Sequence, residues 1–534
     1  MEINNMLIEY MIPMRDGVKL YTLVQLPETG KKLPTIIKRN PYADPDAPPA
    51  MEPFRNENTH GYAIVYQECR GTGRSEDDCI PFINERNDGL DTLDWIRKQD
   101  FYNGELFLEG QSYLSAVHLS YLKTNQPDVK AACLMIMDTE RYNLLYRNGF
   151  FKTGLHGGWA INMYKKKTFR EKNYVPETFR QLPLSGFTEH IYGERADFLE
   201  EDIMHPNPSD PFWKTRVGGS DYSCAIQECN VPVLLATGFY DICTGGLFDI
   251  WNSLPENRRK DCAMIVSPYD HGWRGADREG YPAFPGGKMN DVCPDVVYYW
   301  FDHFRKGTPL EFVRRGEIVY YPLFNGPWRY EKILHRGNKT VKFHLTLDHK
   351  LTKKIGKNGA ITYLYNPFAP AKFNGTGCFT FEGMQYQDPP NSRYDIISFL
   401  TEPFENDLLI KGKSELELHV KSTAPDTCFY VRLSIVRKDG TLVLRDDIDS
   451  LCRTHADYKP GDTAVLHFEF TEHCYEVRKG EQLRLDVSSS CVPHFLVHTN
   501  RKGPMNEQTG ADLAYNTICT GKSVLTLYAE DIEV

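Results

Sequence analysis

Apolar positions along the chain follow two different rhythms. Over residues 1 to about 140, strand-length runs alternate with helical patterns. Thr35-Ile36-Ile37 and Tyr62-Ala63-Ile64-Val65-Tyr66 read as buried strands. Within Asp88–Ile96, Leu90, Leu93 and Ile96 recur at helical spacing and predict an amphipathic helix. Alternating strands and helices predict a parallel sheet covered by helices. From about 140 to 230 the strand period disappears, and aromatic, Lys- and Arg-rich segments predict a helical insertion. The alternation resumes with Val231-Pro232-Val233-Leu234-Leu235-Ala236 and Ala263-Met264-Ile265-Val266. One sheet domain is therefore expected over residues 1–140 and 231–335, split by a cap over 141–230.

Beyond about residue 335 the period becomes two. Leu416-Glu417-Leu418-His419-Val420, Val465-Leu466-His467-Phe468-Glu469-Phe470 and Leu483-Arg484-Leu485-Asp486-Val487 alternate apolar and polar side chains. Turn residues separate such runs: Asp439-Gly440, Pro460-Gly461-Asp462 and Lys479-Gly480. Many short strands joined by polar turns predict an all-β sandwich over residues 336–534. A chain of 534 residues is too long for one ordinary core, which agrees with several domains.

The run Leu106-Phe107-Leu108-Glu109-Gly110-Gln111-Ser112-Tyr113 carries the first chemistry. Three apolar residues form a strand, Gly110 permits a tight turn, and Ala116-Val117-His118-Leu119 begins a helix. A serine between strand and helix is pushed outward on a strained turn, the nucleophile elbow of α/β-hydrolases. Such a serine needs a base and an acid. Asp241 follows the apolar strand 231–236 through Thr237-Gly238-Phe239-Tyr240, at the carboxyl end of the strand, where open α/β sheets hold their sites. His271 follows the next apolar strand, and the order Ser…Asp…His is that of α/β-hydrolase triads. In this arrangement His271 takes the Ser112 proton and Asp241 orients the imidazole. Asp270 is a rival acid, but adjacent side chains diverge and it does not follow a strand, so Asp241 is preferred. Arg39-Asn40-Pro41-Tyr42 follows an early strand, where these folds supply an oxyanion donor. The Tyr42 hydroxyl and the Tyr113 amide are the candidates.

Charge and composition narrow the partners. A net charge of −10 argues against a nucleic-acid surface. No apolar stretch is long enough to span a bilayer. The first residues lack the basic and apolar regions of a signal peptide, so a cytoplasmic protein is expected. The 14 cysteines form no CxxC pair and are expected to be reduced and mostly buried. Arg70-Gly71-Thr72-Gly73-Arg74 lacks the Lys-Ser/Thr ending of a phosphate loop and is read as a structural turn.

Taken in order, these motifs resemble one family. Arg39–Tyr42, Cys69–Glu76, Asp94-Trp95-Ile96, Asn103-Gly104, Gly110–Leu114, Gly238–Asp241, Asp270-His271-Gly272, Trp300–Gly307, Asp395, Phe399–Pro403 and Ser488–Phe495 are similar to elements of the cocaine-esterase-like (CocE/NonD) serine hydrolases. That group is related to X-Pro dipeptidyl peptidases and α-amino-acid ester hydrolases. The resemblance implies an α/β-hydrolase fold with an inserted helical cap, followed by a C-terminal jelly roll of galactose-binding-like type. It implies a Ser112–Asp241–His271 triad with an oxyanion hole from Tyr42 and Tyr113. Ser115 stands where the family usually has Gly, so altered packing at the elbow is expected. Phe239 stands where Trp is common.

The expected function is hydrolysis of a small-molecule carboxylic ester or amide through an acyl-enzyme on Ser112, with no metal or organic cofactor. Phe150, Phe151 and Trp159 are candidates for the acyl pocket, with core packing as the alternative. The runner-up is an X-Pro dipeptidyl-peptidase-like aminopeptidase or α-amino-acid ester hydrolase. It would need cap carboxylates, such as Glu194, Asp197, Glu200, Glu201 and Asp202, to hold a substrate ammonium. A third reading is a non-catalytic binding protein that uses the sandwich. No nucleic-acid or membrane partner is expected, and a homo-oligomer is compatible with the sequence.

Overall fold

A computed structural model of the chain describes residues 5–27, 30–44, 59–165, 179–215, 223–273, 281–282, 284–324, 326–376 and 383–532. The strands of the first part are β1 (Asn5–Pro13), β2 (Lys19–Pro27), β3 (Leu33–Asn40), β4 (Ala63–Glu68), β5 (Tyr102–Gln111), β6 (Val129–Met135), β7 (Tyr146–Arg147), β8 (Phe150–Phe151), β9 (Val233–Tyr240), β10 (Ala263–Asp270), β11 (Ile318–Tyr320) and β12 (Arg329–Glu331). All but β7 and β8 join one sheet in the order β1-β2-β4-β3-β5-β6-β9-β10-β11-β12. Neighbours from β4 through β11 are parallel, while β1–β2, β2–β4 and β11–β12 are antiparallel.

The continuous apolar runs are explained by burial on both faces. Ile37, Leu106 and Leu108 enter one core beneath helices α1 (Glu85–Ile96) and α2 (Tyr113–Leu122). The alternate residues Ile36 and Phe107 enter a second core under the helix Val296–Lys306, which contributes Trp300 and Phe301. The sequence reading of a parallel sheet omitted its antiparallel edge. β1 and β2 form a hairpin whose outer strand pairs on one side only, so its apolar pattern is weak.

Between β6 and β9 the chain forms short helices: Arg141–Leu145, Gly158–Met163, Phe187–Tyr192, Asp197–Met204, Phe212–Thr215 and Ala225–Glu228. A hairpin, β7–β8, and a π-helical turn, Thr153–Gly157, interrupt them. Parts of the expected cap, 166–178 and 216–222, lie outside the described residues.

The C-terminal strands are almost all antiparallel. In Glu415–Ser422, Leu416, Leu418 and Val420 are buried while Glu417 faces outward, as the period-two pattern requires. The sandwich is bonded to both other parts. The Tyr240 hydroxyl donates to the Val443 carbonyl (2.8 Å), and Arg147 makes two 2.7 Å hydrogen bonds to Asp447. The Thr153 hydroxyl donates to the Pro493 carbonyl (2.6 Å). Every cysteine among the described residues is a free thiol, most of them buried. No helix among these residues is long and apolar enough to cross a membrane.

Candidate active site

β5 ends at Gln111 and α2 begins at Tyr113, leaving Ser112 alone in the turn with φ 54° and ψ −126°. Backbone strain of this kind costs about 1–3 kcal/mol in a non-glycine residue and persists only where the surroundings enforce it. Here the Ser112 amide donates to the Met135 carbonyl (2.9 Å), and its own carbonyl accepts the Ser115 and Ala116 amides (2.8 and 3.2 Å). Gly110 is required because a Cβ there would collide with the Leu114 carbonyl and the Ser115 amide. Ser115 does not loosen the elbow. It is fully buried, and its hydroxyl bonds the Gly110 carbonyl (2.7 Å) and the Met135 backbone (3.0 Å), tying α2 to β5 and β6.

His271 and Asp241 converge on this serine from the ends of β10 and β9. His271 Nε2 lies 2.8 Å from Ser112 Oγ, and His271 Nδ1 donates to Asp241 Oδ1 (2.6 Å). Asp241 is fully buried, and the Thr237 hydroxyl donates to its Oδ2 (2.6 Å) while the Cys243 amide donates to Oδ1 (3.2 Å). These donors fix the carboxylate so that it faces the imidazole. Asp270 is the last residue of β10, contrary to the sequence reading that it does not follow a strand. Its Oδ1 accepts from the Gly272 amide (2.9 Å), so it shapes the turn rather than orienting the ring.

Tyr42 leaves β3 through an Asx turn in which Asn40 Oδ1 accepts the Tyr42 amide (2.9 Å). Its hydroxyl is within hydrogen-bonding reach of Ser112 and of the Tyr113 amide, and Trp159 Nε1 lies 3.4 Å away. Burial of the hydroxyl end pushes its pKa above the usual phenol value. The Tyr113 ring is anchored on the other side, donating to Glu85 Oε1 (2.5 Å) and accepting from the Phe82 amide (2.7 Å). The residue that follows the serine is thus held at both its backbone and its side chain.

The pocket above Ser112 is lined by Tyr42, Phe82, Met137, Leu144, Leu155 and Trp159, together with Ile242, Cys243, His156, Tyr113 and His271. Trp159 is among the residues lining this pocket. Phe150 and Phe151 are not pocket-lining. Phe150 is buried in a cluster with Phe373, Tyr430 and Phe495 of the sandwich, and Phe151 packs on Tyr146 and Phe179. Adjacent residues of β8 face opposite ways, so two cores claim them. The cap carboxylates are not pocket-lining either. Glu200 accepts from the Gly186 and Thr188 amides and the Thr188 hydroxyl, while Asp202 pairs with Arg141 and His156. Glu194 pairs with Lys165, and Asp197 and Glu201 pair with Arg195.

Sequence reading missed Thr237, Cys243 and most of the pocket wall. Thr237 lies four residues before Asp241 and carried a readable signal, a hydroxyl directly after the apolar run 231–236. The wall residues come from four separate segments and carried none.

Residues 16–273 match the family model described as X-Pro dipeptidyl-peptidase (S15 family), and residues 316–524 match that of the X-Pro dipeptidyl-peptidase C-terminal non-catalytic domain. A cocaine esterase from Rhodococcus sp. (strain MB1 Bresler) is 23% identical over 553 residues, covering 92% of each chain. Among solved structures, an aminopeptidase from a marine sediment archaeon, Thaumarchaeota archaeon, superposes with TM-score 0.81 at 18% identity, covering 99% of this chain and 97% of that one. A CocE/NonD family hydrolase from Staphylococcus aureus gives TM-score 0.65 at 14% identity, covering 98% and 93%.

Proposed function

The chain belongs to the cocaine-esterase-like serine hydrolases of the X-Pro dipeptidyl-peptidase (S15) group, and from that premise we propose that it cleaves carboxylic esters through an acyl-enzyme on Ser112. The observation that carries this reading is the hydrogen-bonded chain Asp241–His271–Ser112, at 2.6 and 2.8 Å. Ser112 Oγ attacks the carbonyl carbon while His271 Nε2 takes its proton. Asp241 stabilises the imidazolium that results. The oxyanion of the tetrahedral intermediate receives the Tyr42 hydroxyl and the Tyr113 amide, which already converge beside the serine. Collapse expels the alcohol, protonated by His271, and water then repeats the sequence to release the acid.

The pocket favours an uncharged apolar acyl group. Among the described residues that line it, none is Asp or Glu, so a substrate ammonium would find no counter-charge there. An ammonium buried without a partner is strongly disfavoured. The acidic cap residues that an aminopeptidase reading invoked are engaged with Lys165, Arg141, Arg195, His156 and backbone amides.

The test is a panel of p-nitrophenyl esters with short, branched and aromatic acyl groups, set against aminoacyl and X-Pro amides. Faster turnover of the amides would return the aminopeptidase reading. Ser112→Ala should lower turnover by several orders of magnitude. A fluorophosphonate should label Ser112 in the unaltered chain and nothing in the variant.

A further inference from the structure

Cys243 lies two residues after Asp241 and has no part in the hydrolytic scheme. Its side chain lines the pocket beside His271. Its backbone amide donates to Asp241 Oδ1 (3.2 Å), the oxygen that also accepts from His271 Nδ1 (2.6 Å). The turn that satisfies the carboxylate therefore folds the thiol back onto the Asp–His pair. One donor atom from each of Asp241, Cys243 and His271 lies within 4.8 Å of the other two. Carboxylate oxygen, imidazole nitrogen and thiolate sulfur are the three donor types that bind Zn²⁺, at about 2.0–2.3 Å each. Donors sharing one such ion stand roughly 3–4 Å apart, so small side-chain rotations bring this set onto a common centre.

We propose that Asp241, Cys243 and His271 form an inhibitory site for a thiophilic divalent cation such as Zn²⁺ or Cd²⁺, built into the acid–base pair itself. The proposal rests on His271 being the general base. The ion takes the place of the Nδ1 proton. The Cys243 thiol releases its proton to solvent and binds as thiolate. The imidazole stays neutral, its proton moving from Nδ1 to Nε2, so one proton leaves per ion bound. One thiolate and one carboxylate balance the two charges of the ion. His271 Nε2 then presents an N–H to Ser112 where a lone pair is needed, and the serine proton has no acceptor. The Asp–His hydrogen bond is lost in the same step. Mg²⁺ and Ca²⁺ prefer six or more oxygen ligands and do not suit this set. Burial and the Asp241 and Asp138 carboxylates raise the Cys243 thiol well above its usual pKa, so protons compete with the ion.

The experiment measures hydrolysis of a p-nitrophenyl ester against added Zn²⁺, Cd²⁺ and Mg²⁺, each rate referred to the same variant's metal-free rate. Zn²⁺ and Cd²⁺ should inhibit at micromolar levels, EDTA should restore the rate, and Mg²⁺ should have no effect. Cys243→Ala and Cys243→Ser should each require at least about tenfold more metal, since a ligand has been removed. Co²⁺ supplies a readout independent of turnover. A thiolate-to-Co²⁺ charge-transfer band should appear in the unaltered chain and be lost in Cys243→Ala. Equal Zn²⁺ sensitivity in Cys243→Ala, or no charge-transfer band with Co²⁺ in the unaltered chain, would overturn the proposal. Should Ser112→Ala remain active, the catalytic assignment fails instead, and the Co²⁺ band still reports on the site.

Discussion

Tyr42→Phe isolates one hydroxyl. Tyr42 is 36% exposed, and removing its oxygen leaves the packing of the site largely unchanged. The hydroxyl's bond to Trp159 Nε1, 3.4 Å away, is weak, and its loss costs well under about 1 kcal/mol of stability. In the proposed scheme the same oxygen is one of two donors to the tetrahedral oxyanion beside Ser112. Removing one such donor typically costs about 2.7–4 kcal/mol in the transition state, or roughly 10²–10³ in kcat. The ground-state carbonyl is a poorer acceptor, so KM should change little. Thermal unfolding and steady-state kinetics on one preferred p-nitrophenyl ester check both halves: Tm within a degree or two, kcat down by at least about a hundredfold. Because burial lifts the Tyr42 pKa, any loss of kcat from its ionisation should begin at a higher pH than for an exposed phenol. A kcat within fivefold of the unaltered enzyme, or an effect confined to KM, would refute the oxyanion role.

Three further outcomes are expected. Asp241→Asn should lower kcat by on the order of 10⁴, because the imidazole loses its orienting anion, while Asp270→Asn should cost less than about tenfold; the opposite ranking in ester turnover would show that the wrong carboxylate was chosen. A chain ending near residue 335 should be insoluble or inactive, since it exposes Phe150 and removes the Val443 carbonyl that anchors Tyr240 beside Asp241; a soluble, fully active monomer would contradict this. Asp138 is buried against Gly246, and burial pushes its pKa up to about 7. An acid raised in the folded state contributes stability that is complete below the unfolded value near 3.8 and is lost as pH rises toward about 7. Denaturant melts of Asp138→Asn should therefore match the unaltered chain near pH 4 and exceed it by about 1–3 kcal/mol near pH 8; no change in the gap between the two pH values would be inconsistent with this.

Local patterning carried the strands that hold the site. The runs at 35–37, 62–66, 106–108, 231–236 and 263–266 are apolar because both sheet faces are covered, and each lies at least partly in an observed strand. Gly110 and Ser112 marked the elbow because the turn geometry admits few residues. The period-two runs marked the sandwich because one face of each strand is buried. Chain order alone suggested that Ser112, Asp241 and His271 belong together, since each follows a strand of one parallel sheet. Tertiary structure decided what distance in sequence conceals. It separated Asp241 from Asp270 by directing one carboxylate at the imidazole and the other at a turn amide. It moved Phe150 and Phe151 from the pocket into two cores, because apolar aromatics are equally suited to either. It assembled the pocket wall from Phe82, Met137, Leu144 and Ile242, residues whose character is that of any core position. It brought Cys243 to the acid–base pair through a backbone hydrogen bond. Periodicity records which side of an element is buried; it holds no record of which distant element buries it, and the substrate is chosen by that second fact.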